Sequence, residues 1–358
     1  MFKELTIDHF RGIQKLELTN LSKVNLIVGT NGSGKSTLLD SFFLTTNPLN
    51  TRLITNTNIL RGVNRIDENF FSTFFYGLKN DYDINFHASL EDGSERNLKI
   101  KPYFDSDKYV DYSNEIEFGE LAEGLNPDST QEIDHIPGVI LEYTNSKFNE
   151  VLKSKIKKAD DGLKIEQPND LREEFGAVYL SVNNIYQGVP KRLEKIIVDK
   201  NLDYVIKALN IIEDSITDLS LGNNGMIYCD LEYSRLLPLK IMGDGFQRLL
   251  AILLAMYDAK KGIILVDEIE NGIFHSKFPA VWETIYKYAQ EFNVQVFATT
   301  HSIECIEHFS KISLDSELFQ SEADLNLYRV EEKAEHHKVT LYNRELLRKS
   351  LEKGFEIR

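Results

Sequence analysis

The amino-acid sequence predicts an α/β protein built on a buried, largely parallel sheet, and three features carry that prediction. Short runs that are apolar almost throughout, "VNLIV", "GIILVDE" and "VQVFATT", are each followed by a helical stretch. A strand covered on both faces reads as such a run, and helical crossovers between such strands require parallel pairing. Hydrophobic residues make up 42% of the 358 residues, enough to build a core of that size.

Taken in order, the first elements are "KELTIDHF" and "QKLELTN", whose alternation predicts a short antiparallel pair. "VNLIV" then leads through a glycine-rich turn into a helix from Lys35 that stops before Asn47-Pro48, because proline disfavours helical geometry in the preceding residue. Residues 49–66 show no clear period and receive no element. "DENFFSTFFYGLKN" has helical spacing, with Asp67 as its cap. "DINFHASL" and "ERNLKIKPYF" flank a turn containing Asp92-Gly93 and read as a hairpin.

Residues 105–170 are polar, acidic and broken by Pro127, Pro137 and Pro168, with one strand, "GVILEYTNSK". Within them "DSD" at 105–107 reads as a solvated loop. The lysine-rich "KSKIKKADDGLK" (153–164) reads as a solvated helix face or loop. "AVYLSVNN" returns to strand character, and amphipathic helices follow across 191–216. From residue 218 strands "DLSL", "GMIYCDLEY" and "LLPLK" precede a helix at 244–259. The strand "GIILVDE", a helix at 276–292, the strand "VQVFATT" and the helix "SIECIEHFS" come next, and the hairpin "LNLYRVEEKAEHHKVTLYN" and a last helix close the series. The expected organisation is therefore 1–66, an inserted arm or lid at 67–217, and 218–358.

The glycine-rich turn fits G-x-x-x-x-G-K-[ST] as Gly29-Thr30-Asn31-Gly32-Ser33-Gly34-Lys35-Ser36. Its glycines let backbone N–H groups face phosphate oxygens, and the helix that follows aims its positive end at them. Gly29, Asn31, Gly32, Ser33, Gly34, Lys35, Ser36 and Thr37 are the expected nucleotide contacts, Lys35 reaching the β/γ-phosphates and Ser36 holding Mg²⁺. A buried strand that ends in Asp267-Glu268 puts two carboxylates at the edge of the sheet where ligands bind. Asp267 is the expected second Mg²⁺ ligand and Glu268 the residue that orients the attacking water. His301, at the end of "VQVFATT", is expected to sense the γ-phosphate.

"FRGIQKLELTNLSKVNLIVGTNGSGKSTLL", "MGDGFQRLLAILLA", "GIILVDEIENGIFHS" and "VFATTHSIECIE" together resemble the ABC-type ATPases of the SMC/RecF/OLD kind. Within them the chain looks most like the compact bacterial AAA-family ATPases that include the ATPase subunits of anti-phage systems such as PARIS and Septu. The resemblance covers about residues 1–45 and 218–358. It implies a P-loop ABC-type ATPase head with a mixed sheet, N-terminal antiparallel strands and an inserted lid. It also implies an ATP sandwich, a homodimer or higher oligomer in which each ATP is gripped by one chain's phosphate loop and the other chain's signature. Gly243, Asp244 and Gly245 hold the signature position, with the familiar serine missing. Arg11 matches the arginine of the family's N-terminal "FR" motif, which approaches the nucleotide. The loop "IENGIFHS" matches the family's D-loop, with His275 one place late. No glutamine marks a Q-loop; the segment from Glu68 to Tyr76 lies at the best topological position and contains none.

The implied activity is hydrolysis of Mg-ATP with Lys35, Glu268 and His301 as catalytic residues. The implied role is control of a separate effector, a nuclease or toxin, in anti-phage defence; a RecF/SMC-like DNA-repair or replication ATPase is the alternative. A net charge of −15 leans against stable DNA binding, since counterion release by Lys and Arg supplies most non-specific affinity. A transporter motor fits less well, because the serine-containing signature and the Q-loop glutamine are missing. A small-molecule kinase would use an arginine-bearing lid. An OLD-type nuclease domain would need more residues than follow His301. No run of about 18 apolar residues occurs, no signal-peptide apolar core opens the chain, and only Cys229 and Cys305 are present. A cytoplasmic location without membrane association is expected.

Overall fold

The structure, a computed structural model, describes residues 1–63, 65–104, 135–147, 150–159, 162–168, 175–314, 324–333 and 336–353. The 105–107 "DSD" run lies outside them. Strands β1 (Phe2–Phe10), β2 (Ile13–Leu18) and β3 (Val24–Val28) lead into helices α1 (Lys35–Thr46) and α2 (Thr51–Leu60). Strands β4 (Ile84–Leu90), β5 (Glu95–Tyr103), β6 (Gly138–Asn145), β7 (Leu152–Ala159), β8 (Gly162–Glu166) and β9 (Ala177–Leu180) follow. Helices α3 (Val189–Val198) and α4 (Leu202–Leu209) precede a small sheet of β10 (Asp218–Leu221), β11 (Ile227–Asp230) and β12 (Leu237–Pro238). The last stretch holds α5 (Asp244–Asp258), β13 (Ile263–Val266), α6 (Phe278–Glu291), β14 (Gln295–Thr299), α7 (Ile303–Ser313), β15 (Leu325–Lys333), β16 (His336–Tyr342) and α8 (Arg344–Lys353).

Among the described residues two large sheets form the body. The core sheet runs β16-β15-β3-β14-β13-β9, with β15 through β9 parallel and β16 antiparallel at its edge. The other runs β2-β1-β4-β5-β6-β7-β8 and is antiparallel throughout. Period-two alternation divides the core between them. Leu26, Val28, Ile264, Val266, Val296 and Ala298 face the layer of α3–α7. Ile27, Ile263, Leu265 and Phe297 face α1 and the antiparallel sheet. Helix α1 is thus sandwiched between sheets, Phe42 stacking on Phe297 at 3.9 Å and meeting Phe2 edge-on at 5.5 Å. One face of the core sheet is therefore covered by helices and the other by α1 and a second sheet.

The structure departs from the sequence expectations in several places. Residues 51–60 form α2, whose helical period is masked because polar Thr51, Thr57 and Asn58 sit on its buried side. Their polarity is neutralised locally: the Thr57 hydroxyl donates to the Leu53 and Ile54 carbonyls, and the Asn58 amide donates to Phe70. The aromatic run at 67–78 forms short 3₁₀ turns instead of a helix, with Phe70, Phe71, Phe74 and Phe75 all buried. The lysine-rich segment forms strands β7 and β8, because Ser154 and Ile156 alternate inward between outward lysines. Residues 67–217 do not stand apart: β4–β8 extend the sheet begun by β1 and β2, and β9 pairs with β13 inside the core sheet.

Candidate active site

Parallel pairing in register sets the site. Val266 pairs with Ala298 and with Leu180, and Thr299 pairs with Ile27, so three consecutive strands end level with the loop after β3. A cleft of about 330 Å³ at that edge is lined by Asn31, Gly32, Gly34, Lys35, Ser36, Thr37, Arg61, Asp267, Glu268 and His301. It falls within the size range of small-ligand sites.

The phosphate loop is shaped by its backbone. Gly34 caps α1 in the left-handed region (φ 91°), and no side chain caps that helix start, so its first N–H groups remain for an anionic ligand. Gly29 sits where any Cβ would come within 2.3 Å of the Val330 carbonyl oxygen, so only glycine permits β15 to pass this closely. The Lys35 ammonium donates to the Gly29 and Thr30 carbonyls at 2.8 and 2.9 Å. Gly29 and Ser33, both expected nucleotide contacts, are not among the residues that line the cleft, and Ser33 is buried.

Asp267 is held by one residue that the sequence marked, Ser36, and one that it did not, Thr299. Ser36 Oγ and Thr299 Oγ1 both donate to Asp267 Oδ1, at 3.1 and 2.5 Å. A hydroxyl and a carboxylate meeting beside a phosphate loop form a hard-oxygen pair that could hold Mg²⁺, an ion that keeps few protein ligands and relies on phosphates and water. No group of three or more His, Cys, Asp or Glu side chains suited to another metal occurs among the described residues.

Glu268 occupies left-handed backbone (φ 50°), uncommon outside glycine, and that conformation is clamped from several sides. Its N–H donates to Thr299 Oγ1 at 2.9 Å and its Oε2 accepts from Asn271 at 2.7 Å. The buried Arg248 guanidinium donates to the carbonyls of Asp267 (2.9 Å), Glu268 and Ile269 (3.2 Å). Burial lowers the Arg248 pKa, and the nearby acidic side chains counter that. Helix α5 is thereby tied to the corner that carries Glu268. His301 is half-buried at the cleft and its Nδ1 lies 2.9 Å from Glu270 Oε1.

Arg11 does not line the cleft; its guanidinium turns inward to Asn58 Oδ1 at 3.0 Å and Asp40 at 3.5 Å. The arginine at the cleft is Arg61, just past α2, which donates to Asp40 Oδ2 through Nε at 3.1 Å and Nη2 at 2.8 Å. Asp40 is wholly buried on α1 and also accepts from the Tyr179 hydroxyl at 3.1 Å. Burial pushes its carboxyl above the usual carboxylate range, and the two guanidiniums offset only part of that rise. Gly243, Asp244 and Gly245 begin α5 outside this chain's own cleft, with Gly243 as the cap. Arg61 had no motif to announce it, while Arg248, Glu270 and Thr299 lie inside motif runs that gave them no role.

A phosphate loop with Asp-Glu and histidine at adjacent strand ends defines a P-loop ATPase. Residues 24–307 match the family described as "AAA domain, putative AbiEii toxin, Type IV TA system", and the chain belongs to that family. It is similar to an "ATP/GTP phosphatase" of Helicobacter pylori, 24% identical over 337 residues covering 87% of this chain and 88% of the relative. An uncharacterized protein of Methanocaldococcus jannaschii is 36% identical over 87 residues, covering 23% of this chain and 76% of that protein. The fold resembles an SMC head crystallised with the C-terminal winged-helix domain of ScpA, with a TM-score of 0.51 at 13% identity, covering 96% of this chain and 98% of that one. The protein is an AAA-family ATPase with an SMC-head fold. No described helix is long and apolar enough to cross a membrane.

Proposed function

We propose that the chain binds Mg-ATP in this cleft, pairs with a second copy on doing so, and uses hydrolysis to reset a state read by a separate effector. The observation that carries the hydrolytic part is the convergence of Lys35, Ser36, Asp267, Glu268 and His301 on one cleft from a loop and two parallel strands. Lys35 and the α1 N-terminus hold the phosphates. Mg²⁺, held by Ser36 and Asp267, would neutralise charge on the phosphate oxygens. Glu268 orients a water whose oxygen attacks the γ-phosphorus as the bond to the leaving ADP oxygen breaks, and it takes the proton. His301 contacts the γ-phosphate and Arg61 contributes a second cation at the cleft. The nucleoside triphosphate phosphatase named in Helicobacter pylori agrees with this chemistry.

Pairing draws support from exposed apolar side chains beside the signature and the loop after Glu268. Ile241 and Phe274 are 65% and 67% exposed, and a second copy would cover them. Gly243, Asp244 and Gly245 would then present the α5 N-terminus to the partner's ATP. Bound nucleotide biases this equilibrium through its greater affinity for the paired state. The sequence resemblance favours a defence effector as the partner, and the family description places the matched domain in a type IV toxin–antitoxin setting. A second reading, DNA engagement in the RecF/SMC manner, draws on Lys153, Lys155 and Lys157 along one face of β7.

Purified protein separates these readings. Lys35→Ala should lose ATP binding, and Glu268→Gln should retain ATP and accumulate as a dimer in size-exclusion chromatography. Normal hydrolysis by Glu268→Gln would show that another group orients the water. ATP-dependent, salt-sensitive binding to a DNA duplex would favour the second reading over the effector reading.

A further inference from the structure

We infer that Glu270 is a positioning residue for His301, fixing which ring nitrogen faces the nucleotide; this rests on the hydrolytic reading above. Glu270 lies in the turn after β13, where Ile269 N–H donates to the Thr299 carbonyl at 3.0 Å and lays the turn against the end of β14. From there one carboxylate oxygen, Oε1, accepts from the His301 backbone N–H at 2.9 Å and lies 2.9 Å from His301 Nδ1. The same oxygen thus sets both the backbone and the ring.

The carboxylate is 9% exposed, whereas the imidazole is 42% exposed and lines the cleft. A carboxylate only accepts hydrogen bonds, so the 2.9 Å approach of Nδ1 is favourable when that nitrogen carries the proton. That leaves Nε2, on the far side of the ring, as the atom available to a phosphate oxygen or to water. The arrangement follows the general logic of a carboxylate behind a working histidine, which selects the tautomer and the ring plane. The second oxygen of Glu270, Oε2, is buried and has no hydrogen-bond partner among the described residues. A carboxylate kept in this position at the cost of one unsatisfied oxygen is not explained by packing. The same turn supplies Asn271, which holds Glu268, so one short segment orients both groups proposed to act on the γ-phosphate and water.

Five proteins test this: wild type, Glu270→Gln, Glu270→Asp, His301→Ala and the Glu270→Gln/His301→Ala double variant, each measured for ATP affinity and turnover. Glu270→Gln should leave ATP affinity nearly unchanged and lower kcat by about 10–100-fold, the usual loss when such a supporting partner is removed. Glu270→Asp, which keeps the charge, should recover part of that loss. The double variant should be no slower than His301→Ala, because the two residues act as a unit. In selectively ¹⁵N-histidine-labelled wild type the His301 signal should report the Nδ1–H form, shifting towards Nε2–H in Glu270→Gln. Losses that multiply in the double variant, or an Nε2–H form in wild type, would overturn the inference. The wild-type spectrum decides the matter even where Glu270→Gln fails to fold. Normal turnover by Glu270→Gln with a slow His301→Ala would remove this inference and leave the hydrolytic reading standing. Normal turnover by His301→Ala would remove the role of His301 and this inference with it.

Discussion

Replacing Asp40 with asparagine should destabilise the protein by about 3 kcal/mol, at the lower end of the range for removing one partner of a buried ion pair. Asp40 is fully buried on α1 and accepts two hydrogen bonds from Arg61 and one from Tyr179, with Arg11 at 3.5 Å. Asparagine preserves the volume and one acceptor oxygen, so the loss is chiefly that of the negative charge between two guanidiniums. Arg61 is 31% exposed and opens onto the cleft, so it can turn towards water. Arg11 is 15% exposed and has no such route, so its charge stays buried with less compensation. The single tryptophan, Trp282, is 2% exposed and stacks edge-on against Phe309 at 4.9 Å, giving a local fluorescence probe of unfolding. With a urea m-value of about 3 kcal/mol/M, the midpoint should fall by about 1 M. A fall below about 0.3 M would refute the claim that this cluster contributes substantially to the junction of α1 with the sheets.

Other expectations are simpler to read out. Gly29→Ala forces a Cβ against the Val330 carbonyl at 2.3 Å, and should weaken ATP binding by about tenfold or more in a titration with fluorescent ATP. Arg248→Met removes the donors that clamp the backbone at Asp267–Ile269; kcat should fall by up to about 100-fold while ATP affinity holds, since small misplacements at a reacting centre carry that scale of loss. Burial pushes the Cys229 thiol up to about 11 and raises Cys305 further, so both stay protonated as pH rises through 8. At pH 8 native protein should therefore resist iodoacetamide, with about one Cys229 in a thousand as thiolate, and both cysteines should label once urea unfolds the chain.

Much of the molecule was legible from local pattern. A strand, glycine turn and helix announce the phosphate loop because backbone conformation and phosphate recognition both depend on residues adjacent in sequence. "ILVDE" and "FATTHS" are legible for the same reason, since an apolar strand that ends in polar groups carries them to a sheet edge whatever its neighbours are. The hairpin around Asp92-Gly93 and helices α5, α6 and α7 follow from turn chemistry and helical period. The β7–β8 strands were hidden because alternating lysines look solvated until a second sheet face requires Ser154 and Ile156 inside.

What the sequence determined alone was the nucleotide loop and the acidic and histidine strand ends, each a contiguous motif. What only the tertiary structure decided was how those groups are held. Asp40 chooses Arg61 as the cleft arginine over the better-motivated Arg11, Arg248 ties α5 to the Glu268 corner, and Glu270 faces His301 across 31 residues. Those choices depend on burial and on hydrogen bonds between residues far apart in the chain, which no local periodicity records.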